Sequence, residues 1–424
     1  MSDAEQIFTA IAVVLTFAAV ASYVNHRFLK LPATIGLMAL SLAVSLVIVA
    51  LGTVGVLDAA DTRDLVESLH FDEVLLQGLL GYLLFAGALH IDLAALRGVL
   101  LQIATLATFS VLASGAIAGT AFWGVAHLLG FDIAFIHGLL FGALIAPTDP
   151  VAALGILKGV NAPKSLETTI AGESLFNDGI GVVVFLTIAS IAFAGEEPAL
   201  SEFGKFLAIE AGGGVVLGFA LGWITYLLAR SIDDYSVEVL LTLAMVSGGY
   251  ALATALHISG PIAVVVAGLI IGNHARSMAM SETTRRYVDN FWEMLDDILN
   301  AVLFAFVGLE VVALRLDWQF AVVGLIAIPM VLGARLVSVA IPGATFHVVG
   351  LVPFERRVLA ALTWGGLRGG ISIALALSLP HSPERDLLIT AAYFVVVFAI
   401  LVQGLTFGQL IRRSFVDAGS DDAD

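Results

Sequence analysis

Ala146-Pro147-Thr148-Asp149-Pro150 interrupts an apolar run that is otherwise long enough to cross a bilayer. Each proline removes a backbone donor, and each drives the residue before it, Ala146 or Asp149, away from helical angles. The helix has to break here. At membrane depth, broken backbone survives only where it is buried in protein or lines a wet cavity. One helix further on comes Gly172-Glu173-Ser174-Leu175-Phe176-Asn177-Asp178-Gly179, again within an apolar run. Glu173, Ser174, Asn177 and Asp178 follow an i, i+1, i+4, i+5 pattern and share one helical face. A charge at that depth costs several kcal/mol, about 2.5–3.5 on insertion scales, so an ion or proton site is the default expectation.

The composition agrees with a membrane setting. Of 424 residues, 59% are hydrophobic and only 13% charged, against about 25% charged in soluble domains. Mean hydropathy is +1.01. The net charge of −16 is opposite to a nucleic-acid footprint. The absence of cysteine excludes disulfides, thiolate metal sites and Cys nucleophiles. The first apolar stretch carries Asp3 and Glu5 ahead of it and no Lys or Arg, so it reads as a span rather than a cleaved leader, although Ala19-Val20-Ala21 imitates a cleavage site.

Thirteen spanning segments can be drawn: 6–26, 31–52, 71–89, 100–129, 133–157, 165–194, 203–229, 235–256, 260–275, 287–313, 318–342, 355–379 and 386–410. With the N-terminus outside, Arg27, Lys30, Arg97, Lys158, Lys164, Arg230, Arg276, Arg285, Arg286, Arg356, Arg357, Arg412 and Arg413 all face the cytoplasm. Only Arg63, Lys205, Arg315 and Arg385 face outward, while Arg335 and Arg368 lie within spans. That asymmetry obeys the positive-inside rule in every inner loop and predicts an N-out, C-in topology.

The twelfth span carries a second interruption, Gly365-Gly366-Leu367-Arg368-Gly369-Gly370. It lies an odd number of spans from the first, so the two halves run oppositely through the membrane. This predicts inverted repeats with crossed, discontinuous helices about a midplane ion site. The repeats are expected at 6–194 and 235–410, joined by a linker helix at 203–229, with a short acidic cytoplasmic tail at 411–424.

A bare Na⁺ is hard and needs several oxygens in place of its water, by the logic of other hard cations. Asp178 can supply a carboxylate, Ser174 a hydroxyl, and Thr148 a hydroxyl or a carbonyl freed by unwinding; Glu173 and Asn177 stand beside them. Burial favours a protonated carboxyl and a nearby cation favours an ionised one. One site can thus hold a proton or a metal ion in competition, which couples opposite fluxes if it opens alternately to each side. Arg368 needs a carboxylate in a bundle core, and Glu173 is the expected partner, as ion pair, cation ligand or both. Asp149 is placed to meet the dipole of its own second half-helix. A minor alternative pairs Asp178 with Arg335, for which Glu310 is another expected partner.

Thr148-Asp149-Pro150, then Gly172 to Gly179, then Gly365 to Gly370 resemble the monovalent cation:proton antiporter family, in its sodium/proton exchanger (NhaP/NHE-like) branch. The likeness covers essentially the whole membrane domain and implies an all-α NhaA/NapA-like antiporter fold. It implies that Asp178 is the exchanging carboxylate and that Ser174, Thr148 and Glu173 complete the cation site. It further implies that Asn177 and Arg368 hold Glu173, and that Asp149 balances the half-helix ends. Asn before the Asp implies electroneutral exchange of Na⁺ (or Li⁺) for H⁺, with no cofactor. A homodimer in a bacterial or archaeal plasma membrane is also implied. K⁺ in place of Na⁺ is the first rival. A cation channel is the second, but channels read ions with filter loops, and no such loop is visible. An enzyme is disfavoured for want of a metal-ligand cluster or a nucleophile–base pair.

Of the remaining features, the acidic stretch Asp58, Asp61, Asp64, Glu67 to Glu73 reads as a solvated face. His137, His257, His347 and His381 read as interfacial, and His90 beside Asp92 as a weak candidate pH sensor. Asp289, Glu293, Asp296 and Asp297 favour the start of their helix more than a cation funnel. Gly212-Gly213-Gly214 and Gly218 read as close helix packing.

Overall fold

Long apolar runs with few breakers between them leave the backbone no partner but itself, and the chain answers with helix after helix. A computed structural model of the protein describes residues 3–54, 74–96, 98–194, 200–275, 280–312, 314, 317–348, 350 and 355–416. The acidic stretch from Asp58 to Glu73, together with Arg63, Arg97, Arg276, Arg315 and the tail acids Asp417, Asp421, Asp422 and Asp424, lies outside the described residues.

The helices are α1 (Asp3–Val24), α2 (Ala33–Thr53), α3 (Leu80–Leu89), α4 (Leu100–Leu128), α5 (Phe135–Ile145), α6 (Pro150–Gly159), α7 (Lys164–Ala194) and α8 (Leu200–Ala229). They continue with α9 (Tyr235–Ala255), α10 (Gly260–Ile270), α11 (Glu282–Leu309), α12 (Trp318–Val348), α13 (Arg356–Trp364), α14 (Gly370–Leu377) and α15 (Pro383–Phe398). Among the described residues, nine helical stretches are long and apolar enough to cross a membrane. The other drawn spans are the shorter α3 and α10, the acid-bearing α11, and the broken pair α13 and α14. Both expected interruptions are present, between Ile145 and Pro150 and between Trp364 and Gly370.

Helix starts follow capping chemistry. Asp234 accepts from Ser236 N (2.9 Å) and Val237 N (3.3 Å) at the head of α9. Ser259, Ser281 and Ser382 cap α10, α11 and α15, and proline stands in the first turn of α6, α10 and α15. The drawn eleventh span stops at Pro342, but α12 runs through both Pro329 and Pro342 to Val348. Neighbouring helices can re-satisfy the groups a proline frees, which relaxes the usual penalty in membrane helices.

Two packing groups emerge. In one, α4 lies on α5 and α12, α12 on α15, and α7 on α5 and α6. In the other, α8 lies on α10, α10 on α3, and α11 on α2 and α1. Small residues let these backbones close up: a Cβ at Gly218 would strike Ala263 O of α10, and one at Gly214 would come within 2.7 Å of Ser259 O. Gly212 faces open space, so the expected packing role holds for Gly213, Gly214 and Gly218 but not for Gly212. Sequence shows the triplet; only the neighbour's position shows which face is used.

Candidate functional site

The two breaks cross. Asp149 N donates to Leu367 O across them at 2.8 Å, so backbone freed by one interruption is satisfied by backbone freed at the other. Asp149 Oδ1 caps α6, accepting from Val151 N (2.9 Å) and Ala152 N (3.3 Å). Its carboxylate also lies against Gly369, the residue that heads α14; a Cβ there would come within 2.8 Å of Asp149 Cγ. One half-buried carboxylate therefore faces two helix N-termini, where a negative charge is favoured.

Arg368 supplies the complementary charge. Its Nη1 donates to Ala146 O and to Pro147 O, the latter at 2.8 Å, at the C-terminal end of α5. A guanidinium is well matched to carbonyls left over where a helix ends. This corrects the expected pairing of Arg368 with Glu173. The partner of Glu173 is Arg335 of α12, which meets it bidentately, Nη1 to Oε1 at 2.6 Å and Nη2 to Oε2 at 2.8 Å. Both side chains are buried. Arg335 also donates to Leu362 O through Nε (3.3 Å) and Nη2 (3.2 Å), so its fork is held on two sides. Arg335 is accordingly not the partner of Glu310 or of Asp178. The signal for it was its position: an arginine inside an apolar span requires a buried carboxylate.

Asn177 is likewise placed otherwise than expected. It does not hold Glu173. Its Nδ2 donates to Thr148 Oγ1 at 2.6 Å, and its Oδ1 accepts from Thr148 N at 3.2 Å. A side-chain amide thus stands in for the missing helical partner of Thr148 within the break. Thr148 Oγ1 lies 3.0 Å from Ser174 Oγ. If Thr148 accepts from Asn177 and donates to Ser174, the Ser174 hydrogen is free to point elsewhere.

Asp178 lies one turn beyond Ser174 on the same face of α7 and is 2% exposed. No hydrogen bond to its carboxyl group is formed among the described residues. The charges of Asp149, Arg368 and Glu173 reach it electrostatically. Thr148, Ser174, Asn177 and Glu173 are buried as well. The structure therefore gathers Asp178, Ser174, Thr148 and Asn177 into one cluster, with Asp149 and Arg368 at the adjoining helix ends and Glu173 turned toward Arg335. Among the histidines, His90 Nδ1 is engaged with Ala86 O at 2.8 Å, as a local tie within α3.

A family profile described as the transmembrane sodium/hydrogen exchanger matches residues 13–413. The chain is 48% identical over 422 residues to the Na⁺/H⁺ antiporter NhaP of Pseudomonas aeruginosa, covering 98% of this chain and 97% of the relative. It is 36% identical over 300 residues to the Na⁺/H⁺ antiporter NhaG of Bacillus atrophaeus, covering 68% of this chain and 55% of that one. The solved sodium proton antiporter MjNhaP1 of Methanocaldococcus jannaschii superposes with a TM-score of 0.75 at 20% identity, covering 96% of this chain and 99% of that one. At that identity the likeness speaks to the fold.

Proposed function

We propose that this chain, which belongs to the sodium/hydrogen exchanger family, exchanges one Na⁺ for one H⁺ at Asp178. The observation that carries the reading is the solitary state of that carboxyl group. Every other ionisable group of the buried cluster has an assigned opposite: Glu173 has Arg335, and Asp149 and Arg368 occupy opposite helix ends. Asp178 alone makes no ion pair or hydrogen bond among the described residues. Arg368, bonded to the α5 carbonyls, reaches it only through space and against the opposing charges of Asp149 and Glu173, so its charge calls for something that arrives. A proton neutralises it, and so does a monovalent cation.

The hydroxyls of Ser174 and Thr148 stand close enough to each other to bind one ion together with Asp178. Asn177 fixes Thr148, Glu173 is a structural member rather than a direct ligand, and Asp149 and Arg368 hold the crossing in register. This ledger also supports electroneutral exchange. The cluster is neutral with a proton on Asp178 and neutral with Na⁺ on it, but carries a net negative charge when empty. A charged core is costly to carry through a low-dielectric barrier, so the loaded forms are the ones that move. Exchange rather than leak follows. The fold supports two inverted repeats around the crossing, 6–194 and 235–410, working by alternating access. The N-out topology, a homodimer and a prokaryotic plasma membrane are parts of the same reading.

The test is cation-dependent dissipation of a pH gradient in proteoliposomes, scanning Na⁺, Li⁺ and K⁺ with and without an imposed potential. A Na⁺ or Li⁺ response insensitive to potential is expected, and Asp178→Asn should reduce it to background while the protein stays folded. A K⁺ response would change the ion. Potential-driven cation flow without proton movement would leave the channel standing, and exchange surviving in Asp178→Asn would remove this residue from the mechanism.

A further inference from the structure

One face of α11 changes character along its length. Glu293, Asp296 and Asp297, Asn300, Leu303 and Phe304, and Val307 recur at helical spacing. Glu293 and Asp297 are exposed and Asp296 is half-buried. Asn300 is 5% exposed, Leu303 4%, and Phe304 and Val307 are fully enclosed. Asp296 lies about two turns before Leu303, and Leu303 is the residue of this face that touches the head of α14 at the crossing. Leu303 stands seven residues further along, roughly 10 Å at 1.5 Å per residue. The face is therefore polar and open up to the broken helices, then apolar and closed.

The closure has a specific contact. Leu303 sits on Gly370, the first residue of α14; a Cβ there would come within 2.7 Å of Leu303 Cγ and 3.1 Å of Cδ2. Two residues beyond Gly370 lies Ser372, 1% exposed, whose hydroxyl has no hydrogen-bond partner among the described residues. A serine within a helix ordinarily bonds the carbonyl four residues back. For Ser372 that residue is Arg368, inside the break. A buried hydroxyl without a partner is uncommon enough to require an explanation. Exposure to water in another conformation supplies one.

We propose that Leu303, seated on Gly370, seals the Asp178 site on the side away from the acidic end of α11, and that Ser372 lines the path that opens when this contact separates. The inference rests on the alternating-access reading above. On the proposed topology the sealed side is the outside.

The chain has no cysteine, so a thiol placed by Ser372→Cys is a unique reporter. Its labelling by a membrane-impermeant thiol reagent would be followed in vesicles of known orientation. With Leu303 intact, labelling from the outer face should be slow. Adding Leu303→Ala should accelerate it on the order of tenfold or more, as expected when a state populated at roughly 1–10% becomes freely accessible. Leu303→Met, which conserves volume, should retain protection, and Leu303→Val should fall between. Equal labelling across this series would overturn the seal, and so would acceleration seen only from the cytoplasmic face. Should Leu303→Ala fail to fold, the Val and Met variants still order the result. Labelling does not require transport. Side-specific, Leu303-dependent labelling in a chain that moves no cations would sink the exchange reading and keep the seal.

Discussion

The two broken helices solve the same problem with opposite chemistry. The first break is made by prolines and carries polar side chains: Thr148 and Asp149 stand between Pro147 and Pro150, and the carbonyls of Ala146 and Pro147 are freed. The second is made by glycines and mainly provides room. Gly369 admits the Asp149 carboxylate, and Gly366 lets Arg335 pass on its way to Glu173, since a Cβ there would stand 2.8 Å from Arg335 Nε. Its one long side chain, Arg368, returns the favour by bonding the carbonyls that the proline break exposes. Rigid breakage at the polar side chains, and small residues where partners must enter, together leave few orphan groups at membrane depth. Each break is incomplete alone.

Variants can separate these contributions. The largest expected effect belongs to the ion pair that passes through the glycine break. Arg335→Ala should cost about 3–5 kcal/mol, because it strands a buried charge. Adding Glu173→Gln should restore part of the loss in thermal or denaturant unfolding; additive losses would break the assignment. Arg368→Ala should cost about 1.5–3 kcal/mol, the range for hydrogen bonds to a charged group, and Glu173→Gln should give no rescue. A rescue there would return Glu173 to Arg368.

Gly369→Ala should cost about 1–3 kcal/mol by overpacking against Asp149. In the same unfolding assay Gly212→Ala, which meets open space, should stay within about 0.5 kcal/mol. On the proline side, Asp149→Ala should lose about 0.5–2 kcal/mol as an N-cap deletion, while Asp149→Asn keeps most of the cap. If Asp149→Asn is as damaging to exchange as Asp149→Ala, the charge at the two helix N-termini matters beyond the cap.

Much of the fold was legible because bilayer thickness and hydrogen-bond accounting act on local sequence. Pro147 and Pro150, two prolines within one turn, strongly favour a break where the single prolines Pro329 and Pro342 are carried inside α12, and the four glycines around Arg368 mark the second break equally plainly. The 3.6-residue period likewise puts Glu173, Ser174, Asn177 and Asp178 on one face without reference to any neighbour. These features follow from backbone sterics and from the cost of unpaired polar groups, and both can be read along the chain.

Partnership is another matter. Glu173 had two buried arginines to choose between, 162 residues away at Arg335 or further at Arg368, and charge alone does not distinguish them. Helix crossing does: the C-terminal end of α5 claims Arg368 first, and Arg335 is brought to Glu173 through the space left at Gly366. Asn177 went to Thr148 for the same reason, since the proline break leaves a backbone N–H close by that needs an acceptor. Local sequence therefore determined the helices, the breaks and the polar face. Only tertiary structure decided which buried charge answers which, because that depends on which orphan backbone groups the crossing brings within reach.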